Sequence, residues 1–456
     1  MRLCLLRQVL SVSLVVLSIG CVANNDDNAT DNDSTNEPMI AAIGEIRDYS
    51  IALGTDSSIY VAGKTSPDYK DGSRKCAAKI ENEGELTWQN CPVGEDFGGS
   101  VLAVTSNGDA HFGATQCVSW SYIDVEDIWR CEARDVVTTK YATNGQITWQ
   151  TVAGHDEGLL EDIAIWALVI DDGSRAFAVG VYQWALRGWS YQQDGSLGLI
   201  SHAVANVALS DVSVDHAGAI RFSGADALET DNGNTEWQAA LSCRDETHFA
   251  QPVWSVTRDF PTNTILPDSR SVRVTTDDEA NSLLMIPLAT ADDPVEYSCQ
   301  TTKYDDAGQE LWTVEQDDCS ASGVAVDEVG AVYLFGNATG EESTECLVVK
   351  YDADGVLSWS TVLAPEPATT CDLNAVTFDA GGNVYAVGTH VAELDAQGNE
   401  NWLLPFANGA AGAVAVDQDG NAYAVGGSED SPEITVVKYS PSGTELWTAE
   451  FDADNP

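Results

Sequence analysis

The chain has 456 residues, and its 72 acidic side chains against 21 lysines and arginines give a formal charge of −51. Hydrophobic residues make up 44 % of it, enough for a folded core. A surface this acidic repels nucleic acid and anionic lipid and favours cations or basic partners, so nucleic-acid binding is excluded at the outset.

The first twenty residues, MRLCLLRQVLSVSLVVLSIG, carry two arginines ahead of an apolar run too short to span a membrane as a stable helix. That is the pattern of a secretory signal peptide. It stops at Ile19-Gly20-Cys21, which resembles the lipobox of bacterial lipoproteins, with Ser18 where leucine is usual. The resemblance implies lipidation at Cys21, and Val22 in place of aspartate implies the outer membrane by the enterobacterial rule. Residues 21–38 then run through ANNDDNATDNDSTNEP, with no large aliphatic side chain, and are read as a disordered acidic tether. As a flexible coil of about 17 residues it averages roughly 20–25 Å. The membrane is thus expected to be reached through the lipid anchor only.

From residue 39 to 456 one pattern recurs. Trp88, Trp149, Trp254, Trp312, Trp359, Trp402 and Trp447 close units of similar size, and six of them follow a glycine four residues back. Aligned on itself, the chain gives eight units, at about 48–92, 98–153, 161–204, 206–258, 269–317, 319–364, 370–407 and 409–451. The third has Leu199 for the tryptophan, and the fourth has Ala250 for the glycine. Each unit holds four short Val-, Ala-, Tyr- and Trp-rich runs between Asp/Asn/Gly turns, with no helical period. A repeat of this length signals stacked supersecondary units. Four strands repeated eight times fit an all-β β-propeller, with seven blades as the alternative because Met39–Ile46 can supply a closing strand. DQDGNAYAVGG, ITVVKY and G-T-E-L-W resemble bacterial propeller repeats of the SBBP and PQQ-like types over residues 48–451. That implies a fold and leaves function open.

The turn sequences, DQDG and DADG among them, are read as structural. Several resemble fragments of calcium loops, but none reaches D-x-[DN]-x-[DN]-G with a bidentate glutamate, so Ca2+ is a minor alternative and no cofactor is expected. Cysteine spacing in an exported chain predicts the bridges Cys76–Cys91, Cys117–Cys131, Cys299–Cys319 and Cys346–Cys371, all on one face of the disc. Cys243, at the same third-strand position in unit four, is left as a buried thiol. Insertions 113–135, 180–190 and 259–269 are read as loops of the disulfide face, where binding usually lives. Trp120, Tyr122, Trp129, Tyr182, Trp184, Trp189 and Tyr191 fall outside the repeat and form a candidate patch for a sugar or a protein, or a mini-core under the loops.

No zinc spacing, Walker loop, nucleophile elbow or dinucleotide fingerprint occurs, and His155-Asp156-Glu157 is read as a solvated cluster. Quinoprotein alcohol dehydrogenases are similar in having eight tryptophan-bearing blades, but their adjacent cysteine pair has no counterpart here. Beyond residue 274 only Lys303, Lys350 and Lys438 are basic, a poor cradle for an anionic quinone. The expectation is a non-enzymatic protein- or glycan-binding scaffold of the cell envelope, loosely similar to the BamB-type outer-membrane assembly lipoproteins. An enzyme on the same scaffold, quinoprotein or polysaccharide-active, is the competing class.

Overall fold

In the best-preserved repeats three strands are buried along most of their length, and the fourth alternates. In the last repeat Ala410–Val416, Ala422–Gly427 and Ile434–Tyr439 are buried almost throughout, whereas Glu445–Phe451 is exposed or half-buried at every residue before Phe451. The difference follows from position. A strand covered on both faces by neighbouring sheets must be apolar on both, while an outermost strand keeps one face in water.

The computed structural model describes Leu10–Ser11, Ala42–Ile43 and, between Tyr49 and Phe451, all residues except 66–73, 92–99, 124–127, 154–162, 171–174, 183–184, 205–207, 215–218, 230–234, 245–251, 261–263, 266–271, 291–294, 339–344, 366–369 and 429–432. These form eight antiparallel sheets, each built from four consecutive strands. Their first strands are Tyr49–Leu53, Ser100–Val104, Ile163–Ile170, Ala208–Val214, Arg273–Thr276, Ser320–Val326, Leu373–Phe378 and Ala410–Val416. Each first strand touches the next, and the eighth touches the first, so the innermost strands close a ring. The protein is an eight-bladed β-propeller. The described residues hold no helix, and hence none long and apolar enough to cross a membrane.

Ala42–Ile43 does not supply a closing strand for the last blade. It pairs with Ser50 and Ile51 on the inner edge of blade one, and Leu10–Ser11 does the same to blade four. Closure comes from side chains instead. Trp88, Trp254, Trp312, Trp359 and Trp402 each donate an indole N–H to a backbone carbonyl in the 3–4 turn of the following blade, on Thr143, Asp306, Ala353, Ala396 and Pro441 respectively. Trp447 reaches round to the carbonyl of Asn82 in blade one at 2.8 Å. The turn glycine two residues on lies against the same indole. At Gly84 (φ +89°) an added Cβ would meet Trp447 at 2.9 Å, and at Gly443 (φ +77°) it would meet Trp402 at 2.7 Å. Left-handed backbone and close approach therefore both require glycine. The glycine before each tryptophan serves the preceding blade's tryptophan, not its own.

A register shift recurs between third and fourth strands in every blade but the fourth, as at Lys350/Tyr351 and Lys438/Tyr439. One extra residue on the outer strand re-aims the side chains that follow, which turns the tryptophan toward the next blade.

Candidate binding face

The two faces of the disc are built differently. On one, the turns between first and second strands are locked by their own aspartates. Asp327, Asp379 and Asp417 each accept two backbone N–H groups of their turn through Oδ1, at 2.8–3.1 Å. These carboxylates act as turn locks, as expected of Asx geometry.

Oδ2 of Asp327 and Asp417, and of Asp277, which locks its turn in the same way, meets a cation. Lys303 lies 2.8 Å from Asp277 with both side chains buried, and Lys350 and Lys438 approach Asp327 and Asp417 at 3.7 and 4.0 Å. In blades one and two the acid sits elsewhere in the turn, yet Lys79–Asp56 (3.1 Å) and Lys140–Asp109 (2.9 Å) keep the pairing. Three of these ammonium groups also lie over a tyrosine of the second strand, 4.9 Å from the rings of Tyr333 and Tyr423 and 5.4 Å from Tyr60. Burying a carboxylate is costly unless it is paired, and the repeated lysine supplies the partner.

The opposite face carries the disulfides. Cys76–Cys91, Cys299–Cys319 and Cys346–Cys371 are bridged, with S–S distances of 2.02–2.07 Å. Each staples the start of a third strand to the chain leaving the fourth. The Cys117–Cys131 pairing rests on side chains outside the described residues; the backbone register sets Cys117 opposite Arg134 and Cys131 opposite Trp120. Cys21 and His155 also lie outside the described residues.

The insertions are more regular than loops. Residues 113–135 belong to two 14-residue strands, Ala110–Ile123 and Ile128–Tyr141, against four to ten residues for the principal strands of the other blades. The flanking strands of blade two cover only Ala110–Ala114 and Val136–Tyr141. The paired stretch from Thr115 to Asp135 thus continues past the disc as a two-stranded ribbon. Most of 180–190 is likewise strand, in the hairpin of Ala176–Tyr182 with Ala185–Tyr191. Within 259–269, Thr264–Ile265 pairs with Ala289 and Thr290.

Two members of the aromatic patch leave it. Trp189 is 1 % exposed and Tyr191 fully buried, and both join the core around Trp149, whose ring stacks on Tyr191 at 5.9 Å. Burial pushes the Tyr191 hydroxyl up to about 12. Two apart on a middle strand, both residues lie on the same face, and that face packs against blade two. Tyr191 was legible: it stands four residues before Gly195, as Tyr141, Tyr351 and Tyr439 stand before Gly145, Gly355 and Gly443. Of the rest, Trp120, Tyr122 and Trp129 lie on the ribbon, with Tyr122 opposite Trp129. Tyr182 ends its strand opposite Ala185, and Trp184 is outside the described residues.

Cys243 is a buried thiol, but not at the place its spacing suggested. It pairs with Trp254 and Arg221 as Lys79 pairs with Trp88 and Tyr60, so it occupies the lysine position near the turn face. Arg221 takes the tyrosine's place. Its guanidinium lies 5.9 Å from the Trp254 ring and donates to Ser282 Oγ and the Ala280 carbonyl, joining blades four and five. The mistaken register came from the longer 3–4 connection of blade four.

Sequence reasoning missed His111 altogether. It holds the tyrosine position of blade two, fully buried, its ring edge-on to Trp149 at 5.5 Å and neither nitrogen hydrogen-bonded. Burial, with the charge of Lys140 second, lowers its pKa to about 3, so the ring is neutral.

The geometry defines a β-propeller with a locked turn face and an elaborated disulfide face. Comparison with protein-family models and with curated sequences finds no match. Among solved structures the chain is similar to a eukaryotic initiation factor (11 % identity, TM-score 0.42, 89 % of this chain and 96 % of that one). It is similar also to the Dos1 propeller (10 %, 0.47, 85 % and 92 %). A prolyl endopeptidase aligns at 12 % identity and TM-score 0.40, over 78 % of this chain and 50 % of that one. None of the three carries a functional argument. Among the described residues no three Asp, Glu, His or Cys side chains gather as a metal-binding group.

Proposed function

We propose that the protein is an exported, lipid-anchored propeller that acts as a non-enzymatic binding scaffold at the cell envelope, with a protein or glycan as its partner. The observation that carries this is the ribbon of blade two. A disulfide-stapled disc bears a long two-stranded projection on its elaborated face, and the sequence of that projection sets three acids (Asp124, Glu126, Asp127) between aromatics (Trp120, Tyr122, Trp129). Aromatic surface beside carboxylates suits sugar stacking or a protein hot spot. The signal-peptide pattern and Cys21 support export and anchoring at the outer membrane, and three disulfides accord with an oxidising compartment.

The test is capture from an envelope extract by the chain carrying Cys21→Ser, beside the same chain with residues 117–134 replaced by Asn-Gly. Gln116 and Asp135 are paired in register, so a tight turn can join them without disturbing the blade. A partner held only by the intact ribbon supports the reading, provided both chains melt alike. Equal capture by both, or by neither, refutes the ribbon as the recognition element.

A further inference from the structure

Blade seven breaks the lysine rule of the turn face. It keeps the turn aspartate, Asp379, and the tyrosine, Tyr385, but Glu393 stands where five other blades have lysine. The register is unambiguous: Glu393 pairs with Tyr385 and Trp402 as Lys438 pairs with Tyr423 and Trp447. An ammonium group has been replaced by a second carboxylate at the same point of the repeat.

The surroundings are otherwise those of the lysine blades. Asp379 locks its turn through Oδ1 and takes Asn383 Nδ2 on Oδ2 at 2.8 Å, as Asp417 takes Asn421. Glu393 is 4 % exposed, and its Oε2 is buried with no hydrogen-bond partner. Tyr385 Oη donates to the Gly420 carbonyl at 3.1 Å, which leaves its oxygen lone pairs available. Among the described residues no lysine or arginine pairs with Glu393 or Asp379; Lys350 and Lys438 of the flanking blades are engaged with Asp327 and Asp417. Burial, with the charges of Asp379 and Asp395 in the same sense, holds the Glu393 carboxyl above its usual range.

Two carboxylates and a phenol, at a point where the fold elsewhere places a positive charge, call for a counter-charge. We propose that blade seven binds a hard metal cation between Glu393 and Asp379, in the place a lysine ammonium fills in blades one, two, five, six and eight. Carboxylate and phenol oxygens suit Na+ or Ca2+ rather than a softer metal. A chain of charge −51 concentrates such ions around itself.

The test compares the full chain with Glu393→Lys, which restores the repeat's own cation, and with Glu393→Gln, which keeps the shape and removes the charge. Equilibrium dialysis and thermal unfolding are run in NaCl, CaCl2 and choline chloride at matched ionic strength, choline being too large to enter. The expected result is one bound cation per wild-type chain and a melting temperature raised above that in choline. Both effects are lost in Glu393→Gln, and in Glu393→Lys if it folds, and the NaCl and CaCl2 arms identify the ion. The proposal is overturned if all chains respond to metal cations alike, since the effect is then general screening of the acidic surface. It is overturned equally if wild type binds none and is stabilised only by acidification, since a proton then does the neutralising.

Discussion

His111 makes the buried core of blade two sensitive to mild acid, and a single substitution isolates the effect. The imidazole is fully buried with neither nitrogen bonded, and its pKa falls from 6.5 in the open chain to about 3 in the fold. Below pH 6.5 the unfolded chain takes up a proton that the folded chain refuses, so stability present above that pH is lost as pH falls toward 3. Between pH 7 and 5 the loss is about 2 kcal/mol, and the full shift of 3.5 units corresponds to about 5 kcal/mol. Phenylalanine fits the position, because Phe177 occupies it in blade three and Tyr333, Tyr385 and Tyr423 in three others. His111→Phe should therefore match or exceed wild-type stability at pH 7, since two orphaned nitrogens disappear, each costing about 1–3 kcal/mol of desolvation. Its advantage should widen by about 2 kcal/mol at pH 5. Urea unfolding followed by circular dichroism at both pH values gives the double difference, in which carboxylates and the other histidines cancel. Parallel pH profiles for the two chains would show that His111 is protonated or solvated in the fold, and would refute the reasoning.

Other outcomes follow from the same geometry. Gly84→Ala forces a side chain into left-handed backbone and onto Trp447, at the contact that closes the ring; it should lower stability by at least about 1–2 kcal/mol, and an unchanged denaturation midpoint would place ring closure elsewhere. Lys303→Met strands the buried Asp277 carboxylate and should cost about 3–5 kcal/mol, whereas Lys303→Met with Asp277→Asn should recover part of the loss. Removing the Cys76–Cys91 bridge by a double serine substitution opens a loop of 15 residues, worth about 3 kcal/mol in the chain-entropy account; wild type under reductant should lose stability in the same sense.

How much of this was written in the sequence depends on which features are local. Blade count and limits were legible because each blade is one contiguous repeat, with turn chemistry and strand alternation in register. The three bridged cysteine pairs were legible for the same reason. Their partners lie within one blade and its exit. What the repeat conceals is the partner across a blade boundary. The ribbon was read as a loop because its polar, aromatic stretch lacks the apolar alternation of a core strand, and Trp189 was set outside the repeat because alanine, threonine or valine fills its position in six of the other blades.

The two irregularities of the repeat illustrate the boundary best. Leu199 for tryptophan in unit three and Ala250 for glycine in unit four look like separate lapses when the glycine and tryptophan of one unit are taken as a pair. The structure pairs them differently: Trp149 of blade two lies on Gly195 of blade three, and Trp254 of blade four on Gly308 of blade five. In that register the tryptophan of blade three would lie on the glycine of blade four. Leu199 and Ala250 are thus the two halves of a single junction, the one place in the ring where both the indole and the glycine that accommodates it have been given up. The glycine is required by the indole and by its tight turn. Once the indole is gone and the 3–4 connection has lengthened to span 245–253, nothing holds the position to glycine. The junction of blades three and four therefore lacks the indole-to-carbonyl bond that six other boundaries retain. Opening of the ring should begin there, and hydrogen exchange should find the strands Leu197–Val204 and Ala208–Val214 less protected than Glu445–Phe451 and Tyr49–Leu53 at the latched closure.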